Sequence, residues 1–165
     1  MFSIPLANDS IDVVFTSFAM EPNGGHEREL MKELYRVTGK YLILQEPAYE
    51  LASEEAQARM REHGYVRGLP KTAKDLSMDV VEYSLLPEDC CFDYNVGGIM
   101  IIRKDTPEHN WSSQSRYICP VTHTPLVDYG DAMFSKNSLL AYPKLAGIPM
   151  LTESNAIVAT KFLDE

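Results

Sequence analysis

Ile11-Asp-Val-Val-Phe15 and Tyr41-Leu-Ile-Leu44 are the two stretches from which the rest of the architecture can be worked out. Both are short runs of β-branched, aromatic and aliphatic residues, which are typical of strands, and the second is apolar throughout, as in strands buried on both faces. Between them, Leu30, Leu34 and Val37 fall at i, i+4 and i+7 and predict one helix. The order strand, helix, strand favours a parallel pair of strands.

Further segments extend this pattern as far as residue 104. Ser53 is placed to cap a helix that finishes at Gly64, and residues 70–76 can form a short helix. Asp79–Leu85 alternates like a strand, and residues 98–102 form a last apolar strand. The whole order predicts an α/β fold with parallel strands first and a hairpin-like antiparallel pair at the end.

The composition changes after residue 104. Residues 105–116 are polar and have the character of a linker, and the remainder is rich in proline and short apolar runs. We therefore predict a first domain at 1–104 and a small β-rich module at 117–165. Trp111, the only tryptophan, is expected to dock the linker by burying its ring.

The overall composition excludes several classes of protein. The chain has 165 residues, 45% hydrophobic and 24% charged, which is typical of globular domains and not of disorder. Its net charge of −9 disfavours binding to nucleic acid, and no apolar run is long enough to span a membrane. Three cysteines, two of them adjacent, cannot form a disulfide framework. These features predict a reduced, cytoplasmic protein.

Two loops are candidates for a ligand site. Residues 16–25 follow the first strand and residues 45–49 follow the second. The carboxyl ends of parallel strands meet at one edge, where open α/β sheets bind their ligands. Hydroxyls, an amide, carboxylates and glycine backbone would converge there. The same residue types also make ordinary turns, so both interpretations stay open at this point.

Residues 3–18, Ser-Ile-Pro-Leu-Ala-Asn-Asp-Ser-Ile-Asp-Val-Val-Phe-Thr-Ser-Phe, resemble the LPF-x-(D/N)-x-S-F-D-V-V-x-S stretch of S-adenosylmethionine-dependent methyltransferases with the Rossmann-like fold. The helix that carries Glu33-Leu-Tyr-Arg-Val37 and the strand end Leu-Ile-Leu-Gln-Glu-Pro47 match the same family. The resemblance covers about residues 1–104 and implies the second half of the family's seven-stranded sheet. The family's glycine-rich loop and ribose-binding acid would precede Met1, so we expect the cofactor site to be complete only in a whole domain.

The resemblance also implies site residues. The cofactor, S-adenosylmethionine, would lie with its methionine part beside the residues after the first strand and its adenine near the preceding segment. These residues are Phe2, Ile4, Pro5, Thr16, Ser17, Phe18 and Ala19. The substrate side would be formed by Glu21, Asn23, Gly24, Gly25, Glu46, Tyr49 and Arg67. The implied reaction transfers a methyl group to a small molecule or a saccharide, and no catalytic residue is assigned.

The tail has a resemblance of its own. Residues 117–126 and 138–151 are similar to small zinc-ribbon-derived proteins that partner tRNA and release-factor methyltransferases. Thr122 stands where the second cysteine of that pattern belongs, which leaves only Cys119 and His123 for a site that needs four ligands. We therefore expect a ribbon-like module without zinc. Cys119 and His123 could instead act as nucleophile and base, although no third group orients them.

The remaining candidates have two interpretations each. His26 and His63, near the strand-end loops, could act as bases or be surface histidines. Cys90 and Cys91 would point to opposite sides of an extended chain, which disfavours joint metal binding. The first strand would leave an exposed sheet edge, so we expect a homodimer or pairing with a missing N-terminal half. A rival hypothesis is therefore a non-catalytic interaction protein that pairs through this edge.

Overall fold

The structure, a computed structural model, describes residues 2–87, 90–91, 95–106 and 115–163. Trp111 and most of the predicted linker lie outside these residues. The chain divides into two compact units. Among the described residues, the first unit holds Phe2 and residues 11–106, and the second holds residues 3–10 and 115–163.

Residues 3–10, which the sequence prediction placed in the region 1–104, belong to the second compact unit of the structure. In the structure they pair with the start of the tail. The N–H of Ile118 donates to the Pro5 carbonyl at 3.1 Å, and the N–H of Ala7 donates to the Arg116 carbonyl at 2.8 Å. An isolated antiparallel bridge joins Leu6 to Tyr117. These backbone hydrogen bonds make the segment part of the second unit.

Within its described residues, the first unit contains four strands and three α-helices. Its strands are β1 (Ile11–Ser17), β2 (Thr38–Pro47), β3 (Asp79–Leu85) and β4 (Gly97–Arg103), and its helices are α1 (Glu27–Val37), α2 (Glu54–Glu62) and α3 (Leu69–Asp75). A short 3₁₀ turn at Tyr49–Leu51 follows β2. The predicted α/β class is confirmed.

The sheet order is β1-β2-β4-β3. β1 and β2 are parallel, and β4 runs antiparallel to both of its neighbours. The parallel pair and the terminal antiparallel pair therefore form as the strand order predicts. Because β1 and β2 are parallel and joined through α1, their carboxyl ends lie side by side at one edge of the sheet.

The helix boundaries follow local sequence signals. Ser53 caps α2, since its hydroxyl accepts a hydrogen bond from the N–H of Ala56 at 3.3 Å. After the helix, Gly64 has a φ of 69°, the left-handed conformation that glycine adopts without a steric penalty. α1 ends where the Thr38 hydroxyl donates to the Leu34 carbonyl at 2.7 Å, and β2 begins at Thr38.

One face of the sheet forms the core. Leu42, Leu44, Met100 and Ile102 alternate along β2 and β4 and are no more than 1% exposed. α1 contacts β1 and β2, and α3 contacts α1 and β3. Burying this face beside the helices removes aliphatic surface from water and is the main source of stability in the unit.

The opposite face of the sheet is open. Val13 and Phe15 on β1 are 50% and 57% exposed, and Tyr41 beside them on β2 is 41% exposed. Ile43 and Ile101, which pair across β2 and β4 on the same face, are half-buried. An apolar sheet face of this kind is unusual in a unit with parallel strands, whose sheets are normally covered on both sides.

The second unit is built from short strands. They are β5 (Val127–Asp128), β6 (Ala132–Ser135), β7 (Leu140–Leu145), β8 (Ile148–Pro149) and β9 (Ile157–Val158), followed by a 3₁₀ turn at Thr160–Leu163. β5, β6, β7 and β8 pair in that order, and β9 also pairs with β7. Its buried cluster consists of Cys119, Leu126, Met133 and Tyr142.

Candidate functional site

The loop after β1 is tied to the end of β2 by one carboxylate. Glu46 Oε1 accepts hydrogen bonds from the N–H groups of Ala19 and Met20, and Oε2 accepts one from the N–H of Glu21, each at 3.1 Å. Three consecutive N–H groups therefore converge on one side chain. The adjacent parallel strand ends make this possible, because they bring the loop within reach of Glu46.

Glu46 is buried at 2% exposure and faces this loop. Burial raises the pKa of its carboxyl group above the usual range, and the hydrogen bonds from the loop N–H groups, that of Met20 foremost, offset the increase only in part. The sequence predicted that Glu46 lines the substrate side. In the structure its carboxylate is engaged within the chain, so its contribution is to hold the loop in shape.

Phe18 lies within the same loop in a left-handed backbone conformation, with a φ of 50°. Its N–H donates to the Gln45 carbonyl at 2.8 Å. A Cβ atom added at Gly97 would come within 2.9 Å of Cζ of the Phe18 ring, and one at Gly98 within 2.8 Å of Cβ of Ala48. Because the two glycines at the start of β4 have no side chains, the loops that follow β1 and β2 can pack directly against its backbone.

The other predicted residues of the loop differ in exposure. Thr16 is buried at 5%, whereas Ser17 and Ala19 are exposed. Of these three residues, Ser17 and Ala19 present their side chains to solvent at the strand ends.

The predicted substrate residues after this loop form a second cluster. The N–H of Gly24 donates to the Gly64 carbonyl at 3.1 Å, and Asn23 Nδ2 donates to the Met20 carbonyl at 3.3 Å. The Glu27 carboxylate accepts the N–H of Gly25 at 3.0 Å and the N–H of Arg67 at 2.9 Å. These contacts fix the backbone.

The side chains in that cluster differ in their exposure and in the groups that they contact. The Arg67 side chain is exposed. Glu21 is half-buried, and its carboxylate lies beside the phenol of Tyr65, whose pKa is raised by burial and by that carboxylate. The His63 ring stacks on Tyr65 with a centroid separation of 5.6 Å. A shallow groove of about 400 Å³ runs along α2 and is lined by Glu55, Ala58, Arg59, Glu62 and His63.

The end of β2 carries a network that the sequence did not indicate. Glu50 accepts hydrogen bonds from the N–H of Gly68 at 2.5 Å and from the Tyr83 hydroxyl at 3.1 Å. Burial, and then the Glu50 carboxylate, raises the pKa of Tyr83. Arg61 Nη1 donates to the Tyr49 hydroxyl at 2.6 Å, so the predicted substrate residue Tyr49 is held by an arginine.

The residues predicted near the adenine fall in both units. Phe2 belongs to the first unit, is half exposed, and makes an edge-to-face contact with His26 at 5.5 Å between ring centroids. Ile4 and Pro5 belong to the second unit. The structure therefore does not gather these three residues within one unit.

Cys119 lies at the centre of a hydroxyl cluster in the second unit. Its Sγ atom is 3.3 Å from the Tyr142 hydroxyl and 3.5 Å from the Ser138 hydroxyl, and the residue is fully buried. Burial acts to raise the pKa of the thiol, but hydrogen bonds from Thr122, Tyr142 and Ser138 outweigh burial and lower that pKa to about 6. Hydroxyl groups therefore surround the sulfur atom.

The predicted partner of Cys119 is placed differently. His123 is exposed and meets Cys119 through the backbone, where its N–H donates to the Cys119 carbonyl at 2.8 Å. The His123 side chain therefore does not join the Cys119 sulfur, either as a catalytic base or as a zinc ligand. In the described ranges, His, Cys, Asp and Glu do not gather in a group of three or more that could hold a metal ion. Of the other cysteines, Cys90 is exposed and Cys91 is half-buried.

Comparison with known proteins adds no assignment. No family model, curated protein or solved structure matches the chain. Among the helices that the structure describes, none is both long and apolar enough to cross a membrane. The function is therefore argued from the site and the fold.

Proposed function

We propose that the first unit is the second half of an S-adenosylmethionine-dependent methyltransferase domain of the Rossmann-like kind. The main support is the strand order β1-β2-β4-β3, in which β4 runs antiparallel to the other three strands. Parallel strands followed by an antiparallel pair are the layout predicted from the order of elements in residues 1–104, and the resemblance to the family covers the same residues. The resemblance of residues 3–18 to the family's stretch supports the same assignment, and it ends in the loop that Glu46 holds.

Residues of this chain would contact one part of the cofactor. Ser17 and Ala19 are exposed at the carboxyl ends of the parallel strands, where open α/β sheets bind ligands, and would lie beside the methionine part. The glycine-rich loop and the ribose-binding acid have no counterpart in the 165 residues. When bound, the cofactor would supply the electrophilic methyl group.

The chain's own contribution would be to bind and orient. A small molecule or saccharide would approach from the side of Gly24, Gly25 and Arg67. Glu27 holds the backbone of Gly25 and Arg67, and the Gly64 carbonyl holds that of Gly24. Orientation alone accelerates such a transfer substantially, so a catalytic triad is not required.

The direct test is a titration of ¹⁵N-labelled protein with S-adenosylmethionine, followed by amide chemical shifts. We expect weak binding, with a dissociation constant above about 10 μM, or some −7 kcal/mol, and shifts confined to residues 16–19. The absence of shifts at millimolar cofactor, or shifts centred elsewhere in the chain, would count against the proposal. Adenosine alone is the matched control ligand.

The open sheet face favours a second candidate function, a non-catalytic interaction protein. β1 pairs only with β2 among the described strands, and Val13 and Phe15 are half exposed on it. An antiparallel pairing of two copies of β1 about Val14 would set Val13 of each copy against Phe15 of the other. Aromatic and β-branched cross-strand pairs of that kind stabilise sheets.

Sedimentation separates this candidate from a monomer. We expect Phe15→Lys to shift the wild-type dimer toward monomer, because a charge on the edge opposes strand pairing. Val81, 49% exposed on the other edge strand, provides the matched control Val81→Lys. A wild-type monomer at tens of micromolar protein would exclude this function.

A further inference from the structure

We propose that the loop after β1 binds its ligand through carbonyl oxygens and therefore selects an ammonium group over a carboxylate or a phosphate, with Glu46 as the positioning residue that sets this preference. The inference concerns any ligand at the carboxyl ends of β1 and β2, so it goes beyond the methyltransferase assignment and does not rest on it. It rests on where the N–H groups of the loop are used.

Every backbone N–H group between residues 18 and 25 is used within the chain. Pro22 has no N–H group, and each of the other residues donates to an acceptor of the first unit. The acceptors are the Gln45 carbonyl for Phe18, the Glu46 carboxyl group for Ala19, Met20 and Glu21, the Met20 carbonyl for Asn23, the Gly64 carbonyl for Gly24 and the Glu27 carboxylate for Gly25. Backbone sites for anions are built from N–H groups that are free to donate to the ligand. Residues 18–25 therefore have no backbone donor left for a carboxylate or a phosphate.

Glu46 also fixes the direction of the loop carbonyls. The peptide bonds of the loop are trans, so the C=O and the N–H of each peptide unit point in opposite directions. The N–H groups of Ala19 and Met20 point to the Glu46 carboxyl group, which is buried. The carbonyls in the same two peptide units, those of Phe18 and Ala19, therefore point away from it. Within the described part of the chain, neither of these carbonyls accepts a hydrogen bond, so both can accept one from a ligand.

The chemistry of this loop suits a cationic donor. Two carbonyl dipoles turn their negative ends away from the core, and Glu21, half-buried in the same loop, adds a carboxylate. The hydroxyl of the exposed Ser17 can donate or accept, so the backbone decides the preference. An ammonium group brings donors and a positive charge, whereas a carboxylate brings acceptors alone. The loop therefore matches the ammonium group.

Titration of the ¹⁵N-labelled wild type with methylammonium chloride and, separately, with sodium formate tests the preference at constant ionic strength. We expect methylammonium to shift the ¹⁵N resonances of Ala19 and Met20, whose nitrogen atoms share peptide units with the two carbonyls. Formate should leave residues 17–21 unshifted. Tetramethylammonium chloride is the matched control, because it carries the same charge without an N–H donor, and it should not shift them either.

Glu46→Ala tests the positioning role. The substitution removes the carboxyl group and frees the three N–H groups of Ala19–Glu21, so the variant should accept an anion where the wild type does not. We expect the hydrogen-exchange protection of these amides to fall by about tenfold in chloride and to return in formate. Glu50→Ala, which removes an exposed carboxylate after β2, is the matched control and should change neither the protection nor the response to formate.

Glu46→Gln decides the positioning role if Glu46→Ala fails to fold. A glutamine side chain has one acceptor oxygen and an NH₂ group that can only donate. With its oxygen at the position of Oε1 it keeps the hydrogen bonds from Ala19 and Met20, and its NH₂ group faces the N–H of Glu21. Protection should therefore fall by about tenfold at Glu21 alone. An equal fall at all three amides, or no fall at any of them, would contradict the role of Glu46.

The outcomes also separate this inference from the proposed function. Shifts in residues 17–21 of the wild type with formate overturn the inference, as does a response to tetramethylammonium equal to that with methylammonium. A folded Glu46→Ala variant that formate does not protect overturns the positioning role. A chain that responds to methylammonium but not to S-adenosylmethionine supports the inference and sinks the methyltransferase proposal. A response to S-adenosylmethionine without one to methylammonium does the reverse.

Discussion

Gly24 approaches Gly64 so closely that a Cβ atom on Gly24 would lie 2.2 Å from the Gly64 carbonyl oxygen. The same pair is joined by a hydrogen bond of 3.1 Å from the N–H of Gly24. Two loops separated by 40 positions in the sequence therefore meet backbone to backbone, and the contact joins the chain before α1 to the turn after α2.

Gly24→Ala should destabilise the first unit, because the added Cβ atom would clash with the backbone carbonyl of Gly64, which cannot rotate away as a side chain can. We expect a loss of about 1–3 kcal/mol in the free energy of unfolding, typical of overpacking. Gly25→Ala is the comparison: nothing lies within 4 Å of its Cβ position, but its φ of 92° disfavours a side chain, at a cost of about 1–2 kcal/mol. Urea denaturation of both variants gives the measurement, and a Gly24→Ala variant as stable as the wild type would contradict the close approach.

Glu46 should make the stability of the first unit depend on pH in a defined direction. Because its pKa is raised in the folded state, the folded chain binds the proton more readily than the unfolded chain does. The contribution of Glu46 is therefore greatest below the unfolded pKa, near 4.3, and falls as the pH rises through the folded value. Subtracting the unfolding free energy of Glu46→Gln from that of the wild type at each pH should give a difference that declines with increasing pH. A difference that rises over this range would show that the hydrogen bonds outweigh burial.

The thiol of Cys119 should lose its proton at a lower pH than an ordinary thiol does. With a folded pKa of about 6, the stability that it contributes is fully present above the unfolded pKa and is lost as the pH falls through about 6. Thiolate absorbance near 240 nm should rise with a midpoint near that pH in a chain carrying Cys90→Ser and Cys91→Ser. Adding Tyr142→Phe removes one donor from the sulfur and should move the midpoint upward. A midpoint near 8.5, the value of an exposed thiol, would refute the role of the hydroxyl cluster.

The second unit should fold without zinc. One cysteine sulfur and neighbouring hydroxyls cannot replace the four ligands of a structural zinc site. Elemental analysis of protein purified without chelator should give well below one equivalent of zinc, and a chelator should leave the unfolding transition unchanged. Stoichiometric zinc, or unfolding on chelation, would refute this expectation.

Local signals predicted much of the fold because they act over a few residues. The Ser53 cap, the Gly64 turn and the strand at Asp79–Leu85 each depend on neighbours in sequence. The α/β class followed from their order.

The contacts that shape the candidate site were not predictable in the same way. Glu46 is bound by backbone N–H groups 25 to 27 positions away, and any residue type except proline supplies such a group. The close approach of Gly24 to Gly64 carries no side-chain signal either, and the pairing of residues 3–10 with the tail depends on backbone atoms. Sequence patterns located the loops but not the direction in which the Glu46 carboxylate points.

The hydrogen bonds between residues 3–10 and the start of the tail make the second unit discontinuous in sequence. The residues of the whole first sheet lie between its two parts along the chain. A protein expressed from residue 117 onward would lack the backbone acceptor that Pro5 offers to Ile118. A single proteolytic cut between residues 106 and 115 would leave the tail joined to residues 3–10 by non-covalent contacts alone. The second unit is thus interrupted in sequence by the first, and it cannot be excised as one uninterrupted piece.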